Sequence, residues 1–351
     1  MPKDALSPMR IKEHILNAVA FLGFLEDPSN PSTEMWQGSG FIVGVEEGGV
    51  TFFYLVTAAH VALKLEKLGD HGRPLARVND MHGKGHVVHL RNPGEREIPL
   101  PNGEMRKFNT PAWVYHPTDV NADVAVQELY IMKKDKANVN PPNTAIMSTA
   151  AFVPQSMFLD PKMIGEDLPI GIGDEVFVTG LFHFVKGKRG NAPIVRTGNL
   201  AMVPREKIRS GARFDEIERT FGDMDAYLIE SRSIGGLSGS PVYIRGTVDV
   251  PNTKRDSMKA LDAEYYLLGL VHGHWDIPNG DINEGIPGDP NGNGVNVGIA
   301  IVTPAYKVLE ILAQGRFKKG REHFLNVIVP LTNTKIKPAK RVRRSAKRIV
   351  K

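Results

Sequence analysis

Apolar residues recur at every second position in short runs along most of the chain, the period of a β-strand with one buried face. NAVAFLGF (17–24), GSGFIVGV (38–45) and VTFFYLVTAAH (50–60) open the series, and HVVHL (86–90), AWVYH (112–116) and DVAVQEL (123–129) continue it. After a Pro/Asn-rich interval near 137–145 the pattern resumes in AFVP (151–154), DEVFVTGLF (174–182), PIVRTGNLAMV (193–203) and DAYLIES (225–231). SPVYIRG (240–246), EYYLLGLVHG (264–273) and VNVGIAIV (295–302) complete it. The runs are rich in Val, Ile, Phe and Tyr and are bounded by Gly, Pro, Asn or Asp. A helical period shows in TPAYKVLEILAQG (303–315), with Thr303 as N-cap, Pro304 at the first helical position and Gly315 past the end. A second short helix is predicted over 61–69. The pattern predicts an all-β chain in two halves that divide near residue 140, as antiparallel barrels side by side with a cleft between them.

With 351 residues the chain is long enough for two cores, and 41% apolar with 24% charged residues is ordinary for a globular protein. There is no cysteine, which excludes a disulfide framework and thiolate chemistry and fits a reducing compartment. The first residues, MPKDALSPMRIKEH, contain no apolar signal core, and ILNAVAFLGFL (15–25) is too short to span a bilayer. A cytoplasmic protein without a membrane partner is expected. The net charge of +5 is uneven: residues 335–351 hold nine Lys and Arg and no acid. Without those nine, 35 basic residues stand against 39 acidic ones, a net −4. The basic excess therefore belongs to a tail.

The stretch GGLSGSP (235–241) breaks the strand pattern with three glycines, two serines and a proline, so it must be a tight turn. A serine hydroxyl needs an adjacent base to act as a nucleophile, and the base needs an orienting partner. His60 ends an apolar strand in LVTAAHVA, and Asp123 leads into another in DVAV. Ser238 lies in the turn, where Gly236 and Gly239 allow close backbone approach. The N–H groups of Gly236 and Ser238 are then candidates for an oxyanion hole.

TAAH, DVAV and GLSGSP, in that order, resemble the three signatures of trypsin-like serine peptidases of the chymotrypsin clan. The flavour is bacterial and HtrA-like, without a PDZ domain after the last helix. GSGFIV, GDEVFVTG, GNLAMVP and VGIAIVTPAYKVLEIL also fit, so the resemblance covers roughly residues 15–315. It implies two antiparallel six-stranded β-barrels, with His60 as general base, Asp123 as its orienter and Ser238 as nucleophile of an acyl-enzyme mechanism on a protein or peptide substrate. The implied division is an N-terminal barrel over 1–140 carrying His60 and Asp123, and a C-terminal barrel over 141–316 carrying Ser238 and the closing helix. Residues 317–351 are expected to form an extension with a basic, disordered tail. The chain departs from the pattern in longer intervals between the three residues, and in Ser240 where many relatives have glycine.

Other readings are weaker. The α/β-hydrolase elbow G-x-S-x-G lacks its last glycine here, and a β-branched run follows Ser238 where that fold needs a helix. Ser240 is expected to be a turn hydroxyl. By analogy Arg232, Ser233, His272, Gly273 and His274 approach the substrate pocket, where Arg or His would favour an acidic or amide side chain; the alternative leaves Arg232 in solvent and His272 on a backbone carbonyl. DPNGNG (289–294) begins like a calcium loop but offers Ala300 where a glutamate is needed. His71, His82, His86 and His89 follow no zinc spacing. No metal and no cofactor are expected. The competing function is a silent or gated peptidase-fold binding module whose tail, 335–351, contacts nucleic acid or an acidic partner through charge alone.

Overall fold

The computed structural model describes residues 11–27, 30, 34–68, 73–90, 94–99, 105–110, 112–129, 150–165, 170–210, 222–231, 236–246, 265–278, 286–287 and 294–328. The tail at 335–351, the interval at 137–145, His71, Arg232, Ser233 and most of the calcium-like loop lie outside them. Among the described residues no helix is long and apolar enough to cross a membrane.

After a one-turn helix α1 (Glu13–Asn17) come β1 (Val19–Leu25), β2 (Glu34–Glu47), β3 (Val50–Thr57) and helix α2 (Ala59–Leu68). Then follow β4 (Arg73–Asn79), β5 (Gly85–His89), β6 (Gly94–Pro99), β7 (Met105–Thr110), β8 (Val114–Tyr115), β9 (Ala125–Leu129) and β10 (Val153–Pro154). Strands β1 to β5, β8 and β9 form one sheet in the order β5-β4-β1-β2-β3-β9-β8, while among the described residues β6 and β7 pair with each other alone. The β2–β3 hairpin turns on Gly48 and Gly49, both at positive φ, the two-residue geometry that suits the strand twist. β10 adds to β2 in parallel at Val43 and Gly44, beyond the last β1 pairing at Phe41.

The second half contains β11 (Glu175–Gly180), β12 (Ile194–Met202), β13 (Ile208–Ser210), β14 (Gly222–Met224), β15 (Tyr227–Glu230) and β16 (Pro241–Arg245). It continues through β17 (Tyr266–Pro278), β18 (Ile286–Pro287) and β19 (Gly294–Pro304). Here the order β16-β11-β12-β15-β19-β17 returns to β16, so six strands close into a barrel. The two expected six-stranded barrels are thus met by one closed barrel and one large sheet; the pairings of the described residues leave the first sheet open, with β5 and β8 at its edges.

Period-two patterning explains how the halves pack. Val176, Val178, Val242, Ile244, Leu268 and Val302 form the core inside the barrel. Their neighbours Phe177, Tyr243 and Leu267 face the other way and join the larger core built on the first sheet. Polar residues stitch the same seam. The Asn191 side-chain amide donates to Val19 O and Arg77 O, and its backbone N–H donates to Asn79 Oδ1. Arg77 in turn donates to Asn191 Oδ1 and to the carbonyls of Lys186 and Gly187, and lies over the rings of Phe21 and Trp36. Strand β4, which contains Pro74 and Arg77 and lacks apolar alternation, was not expected from the pattern; this seam accounts for its polar residues.

The C-terminal helices also differ from expectation. Thr303 remains in strand, paired with Leu270, and Pro304 caps α3 (Ala305–Leu312) in extended conformation. A second helix, α4 (Gly315–His323), starts at the glycine expected to end the first. Helix α3 buries Val308, Ile311 and Leu312 and places Lys307, 7% exposed, against the carboxylates of Asp119 (2.8 Å) and Asp225 (3.2 Å). One turn away His116 Nε2 meets Glu310 Oε2 at 2.5 Å. Burial opposes ionisation of Asp119, but the hydrogen bond and charge of Lys307 outweigh it and hold the carboxyl below its ordinary range. A depressed carboxyl contributes stability above its unfolded value of about 3.9, and loses it as pH falls toward the folded value. Lys307→Ala, which strands these acids, is expected to cost about 3 kcal/mol near neutral pH and less below about pH 4, as read from urea unfolding at the two pH values.

Candidate active site

Strand β3 ends at Thr57, and the small residues Ala58 and Ala59 let the chain turn straight into α2. Val61 and Ala62 both donate their N–H to Ala58 O at 3.1 Å. His60 therefore sits in the first turn of a helix, three residues past the end of β3, and not at the strand end where the pattern places it. First-turn N–H groups have no partner within their own helix. That of His60 finds Asp123 Oδ1 at 3.0 Å. Asp123, wholly buried in the loop before β9, also takes the ring of His60, with Nδ1 at 2.8 Å from Oδ2. One carboxylate thus holds both the backbone and the side chain of the same histidine.

A second imidazole shares this carboxylate. His272, on β17, places Nδ1 at 2.5 Å from the same Oδ2, and its ring stands perpendicular to that of His60 with centroids 6.1 Å apart. An ionised carboxylate only accepts, so both Nδ1 atoms carry a proton, and in the neutral ring of His60 Nε2 is the acceptor. Burial disfavours the charged form of His60, but the charge and hydrogen bond of Asp123 prevail over burial and Lys64, and raise it above its ordinary value. Burial likewise opposes ionisation of Asp123; the charges and hydrogen bonds of the two histidines overcome it and hold the carboxyl far below the usual range.

His60, Asp123 and His272 also offer three metal-ligand atoms close together. Two ligands of one tetrahedral zinc ion lie about 3.4 Å apart, given bonds near 2.1 Å. Separations of 2.8 and 2.5 Å are those of hydrogen bonds instead. The donor set fits a proton-holding network, not an ion.

The Ser238 turn is clamped onto the end of β3, just ahead of the helix that carries His60. Ser39 on β2 donates its N–H to Ser238 O at 3.0 Å. Gly239, at φ +80, leaves so little room that a Cβ there would lie 2.2 Å from Ser39 O, 2.3 Å from Thr57 Oγ1 and 3.0 Å from Ala58 N. On its other side the turn is bonded to β17: Gly239 N–H donates to Val271 O at 2.8 Å and Val271 N–H to Ser240 O at 2.9 Å. His272 is the next residue along. Ser240 N–H donates to Leu237 O at 2.9 Å. Among the described residues, no backbone bond takes up the N–H groups of Gly236 and Ser238. Ser238 is half-buried, whereas Ser240 is wholly buried against Gly180 and out of reach of a substrate.

Three contributors were not singled out from the sequence. Ser39, fully buried, donates Oγ–H to Gly236 O at 2.7 Å and accepts from Leu181 N at 2.8 Å, so it braces the turn from the first sheet. Thr57 braces Ser39, donating to its carbonyl at 2.7 Å. His183 packs its ring where a Cβ of Gly236 would go. The only sign of Ser39 in the sequence is a small polar residue between two glycines in an apolar strand. Of the predicted pocket residues, His272 turns its ring to Asp123. Gly273 and His274 lie on β17, between the end of its ladder with β16 at Leu270 and the start of its ladder with β18 at Trp275. A Cβ at Gly273 would meet nothing within 4 Å.

No family model and no curated protein matches the chain. Among solved structures it is similar to Deg5, with 15% identity, a TM-score of 0.37 and coverage of 77% of this chain and 83% of that one. It is also similar to the Rv3671c protease from M. tuberculosis in its active form, at 16% identity and TM-score 0.36, covering 85% of this chain and 81% of that one. A thermostable serine protease, AL20, from an extremophilic microorganism gives 10% identity and TM-score 0.39, over 85% of this chain and 96% of that one.

The clamped turn makes a direct prediction. Gly49→Ala, at φ +75 with open space around it, should cost about 1 kcal/mol for the backbone conformation alone. Gly239→Ala adds a collision with fixed backbone and should cost at least about 2 kcal/mol more, read as the difference in urea midpoints between the two variants.

Proposed function

We propose that the chain is a serine endopeptidase of the trypsin-like, chymotrypsin-clan type. The observation that carries this reading is the His60–Asp123 pair, held at both carboxylate oxygens, with the Ser238 turn clamped against the end of β3 at Thr57, three residues before His60. In the reading, His60 Nε2 takes the proton of Ser238 Oγ as the hydroxyl attacks a peptide carbonyl. Asp123 keeps the proton on Nδ1 and stabilises the imidazolium that forms. The N–H groups of Gly236 and Ser238 receive the negative charge that develops on the carbonyl oxygen. His60 then returns the proton to the leaving amine, and water resolves the acyl-enzyme by the same route in reverse. The substrate backbone would lie along β17 near Gly273, where open space adjoins the strand.

Labelling by a fluorophosphonate probe tests the reading. Wild-type protein is expected to label at Ser238, while Ser238→Ala does not and His60→Ala slows at least about a hundredfold. The base must be neutral to act, and His60 is raised by Asp123, so the labelling rate should fall on the acid side with a midpoint above the ordinary histidine value of about 6.5. A folded wild-type protein that does not label, or a rate flat from pH 8 to 5, would rule the mechanism out.

A further inference from the structure

We propose that His272 is a positioning residue: it fixes the Asp123 carboxylate and sets how strongly that carboxylate pulls on the proton of His60. The inference rests on the reading of His60 as general base, and deepens it.

Geometry carries the argument. Asp123 has two carboxylate oxygens and three donors. Oδ1 takes the backbone N–H of His60, and Oδ2 is divided between the Nδ1–H of His60 at 2.8 Å and that of His272 at 2.5 Å. The shorter bond belongs to His272. Its ring is 7% exposed, and its backbone follows directly on Val271, which exchanges hydrogen bonds with the Ser238 turn. His272 therefore links the carboxylate, held by the first sheet, to the turn held by the barrel. The perpendicular rings converge on one oxygen from different elements, so neither can shift without moving the carboxylate.

The electronic consequence has a definite sign. A donor on Oδ2 disperses negative charge that would otherwise act on His60 alone. Among the described residues, the charged and titratable groups that act on or pack against His60 are Asp123 from the loop before β9, His272 from β17 and Lys64 one turn along α2. Taking His272 away removes a competing donor and leaves the other two. The imidazolium of His60 is then better stabilised, and His60 becomes neutral only at higher pH. Without its second anchor the carboxylate is also freer to rotate away from Nδ1, which lowers the rate even where His60 is neutral.

The test uses the full chain and two readouts. The first is the pH dependence of fluorophosphonate labelling. The second is the titration of the His60 ring by NMR, assigned with His60→Gln, which needs no activity. His272→Leu, without a donor, is expected to raise the His60 midpoint by about 0.5–1 pH unit in both readouts. Its plateau labelling rate should drop about tenfold. His272→Asn, whose amide N–H₂ reaches about as far as Nδ1, should recover both. His272→Gln, polar but one carbon longer, should not, and it replaces the Leu variant if leucine is not tolerated. A His60 midpoint unchanged in His272→Leu and His272→Gln overturns the proposal. A midpoint that moves in a protein whose wild type does not label sustains the coupling of His272 to His60 and overturns the peptidase reading instead.

Discussion

A carboxylate with no exposed surface is the constraint around which the rest of the structure is arranged. Burying such a group costs several kcal/mol, and it is tolerated only when its oxygens are fully bonded. Asp123 meets that demand with three donors, from the first turn of α2, the ring of His60 and the ring of His272. Charge-assisted bonds contribute about 1.5–3 kcal/mol each, enough together to offset the penalty. Removing any one donor leaves a charge that the site cannot hydrate. The end of β3, the start of α2, the loop before β9 and the middle of β17 therefore have to meet at one point.

What brings β17 to that point is the seam between sheet and barrel. Ser39 spans it with a single hydroxyl, accepting from Leu181 and donating to Gly236. Gly239 lets the turn approach Thr57 and Ala58 more closely than any side chain would permit. At the far end Asn191 and Arg77 bond carbonyls from both halves, and Lys307 on α3 gathers Asp119 and Asp225. These contacts are polar and specific in position, unlike the apolar packing between them. Apolar packing tolerates small shifts; a hydroxyl bonded on two sides does not. The seam thus holds the Ser238 turn in register with His60.

Much of this was legible in the sequence, and the reason differs by element. Apolar, β-branched runs such as those containing Val176 and Val242 declare their presence as strands, here buried on both faces. The turn at 236–240 declares itself by composition, and TAAH, DVAV and GLSGSP point to His60, Asp123 and Ser238 by their order. Elements whose burial is polar stayed hidden. Strand β4 is satisfied by Arg77 and Asn79 reaching across to Asn191, a partnership between residues more than a hundred positions apart. The start of α2 was placed late because nothing in AAHVA shows that a distant carboxylate caps the first turn. Helix α3 was started early because Thr303 is a good N-cap residue, but its pairing with Leu270 keeps it in the strand.

His272 is the most instructive of these cases. Its position on β17 was legible and its direction was not. Along a strand, successive side chains face opposite sides, so a one-residue difference in register separates a ring that meets substrate from one that meets Asp123. That register is displaced by the bulge between Val271 and Gly273, a feature of the β17–β19 pairing that no local pattern announces. The bulge turns His272 inward to the carboxylate and leaves Gly273, with no side chain, facing open space. Adjacent residues thereby differ in surroundings: His272 belongs to the buried charge network, and Gly273 borders open space. Because the network draws His60 and Asp123 from one side of the seam and His272 from the other, it is complete only when sheet and barrel are docked, and the charge balance at His60 depends on the packing of the whole molecule.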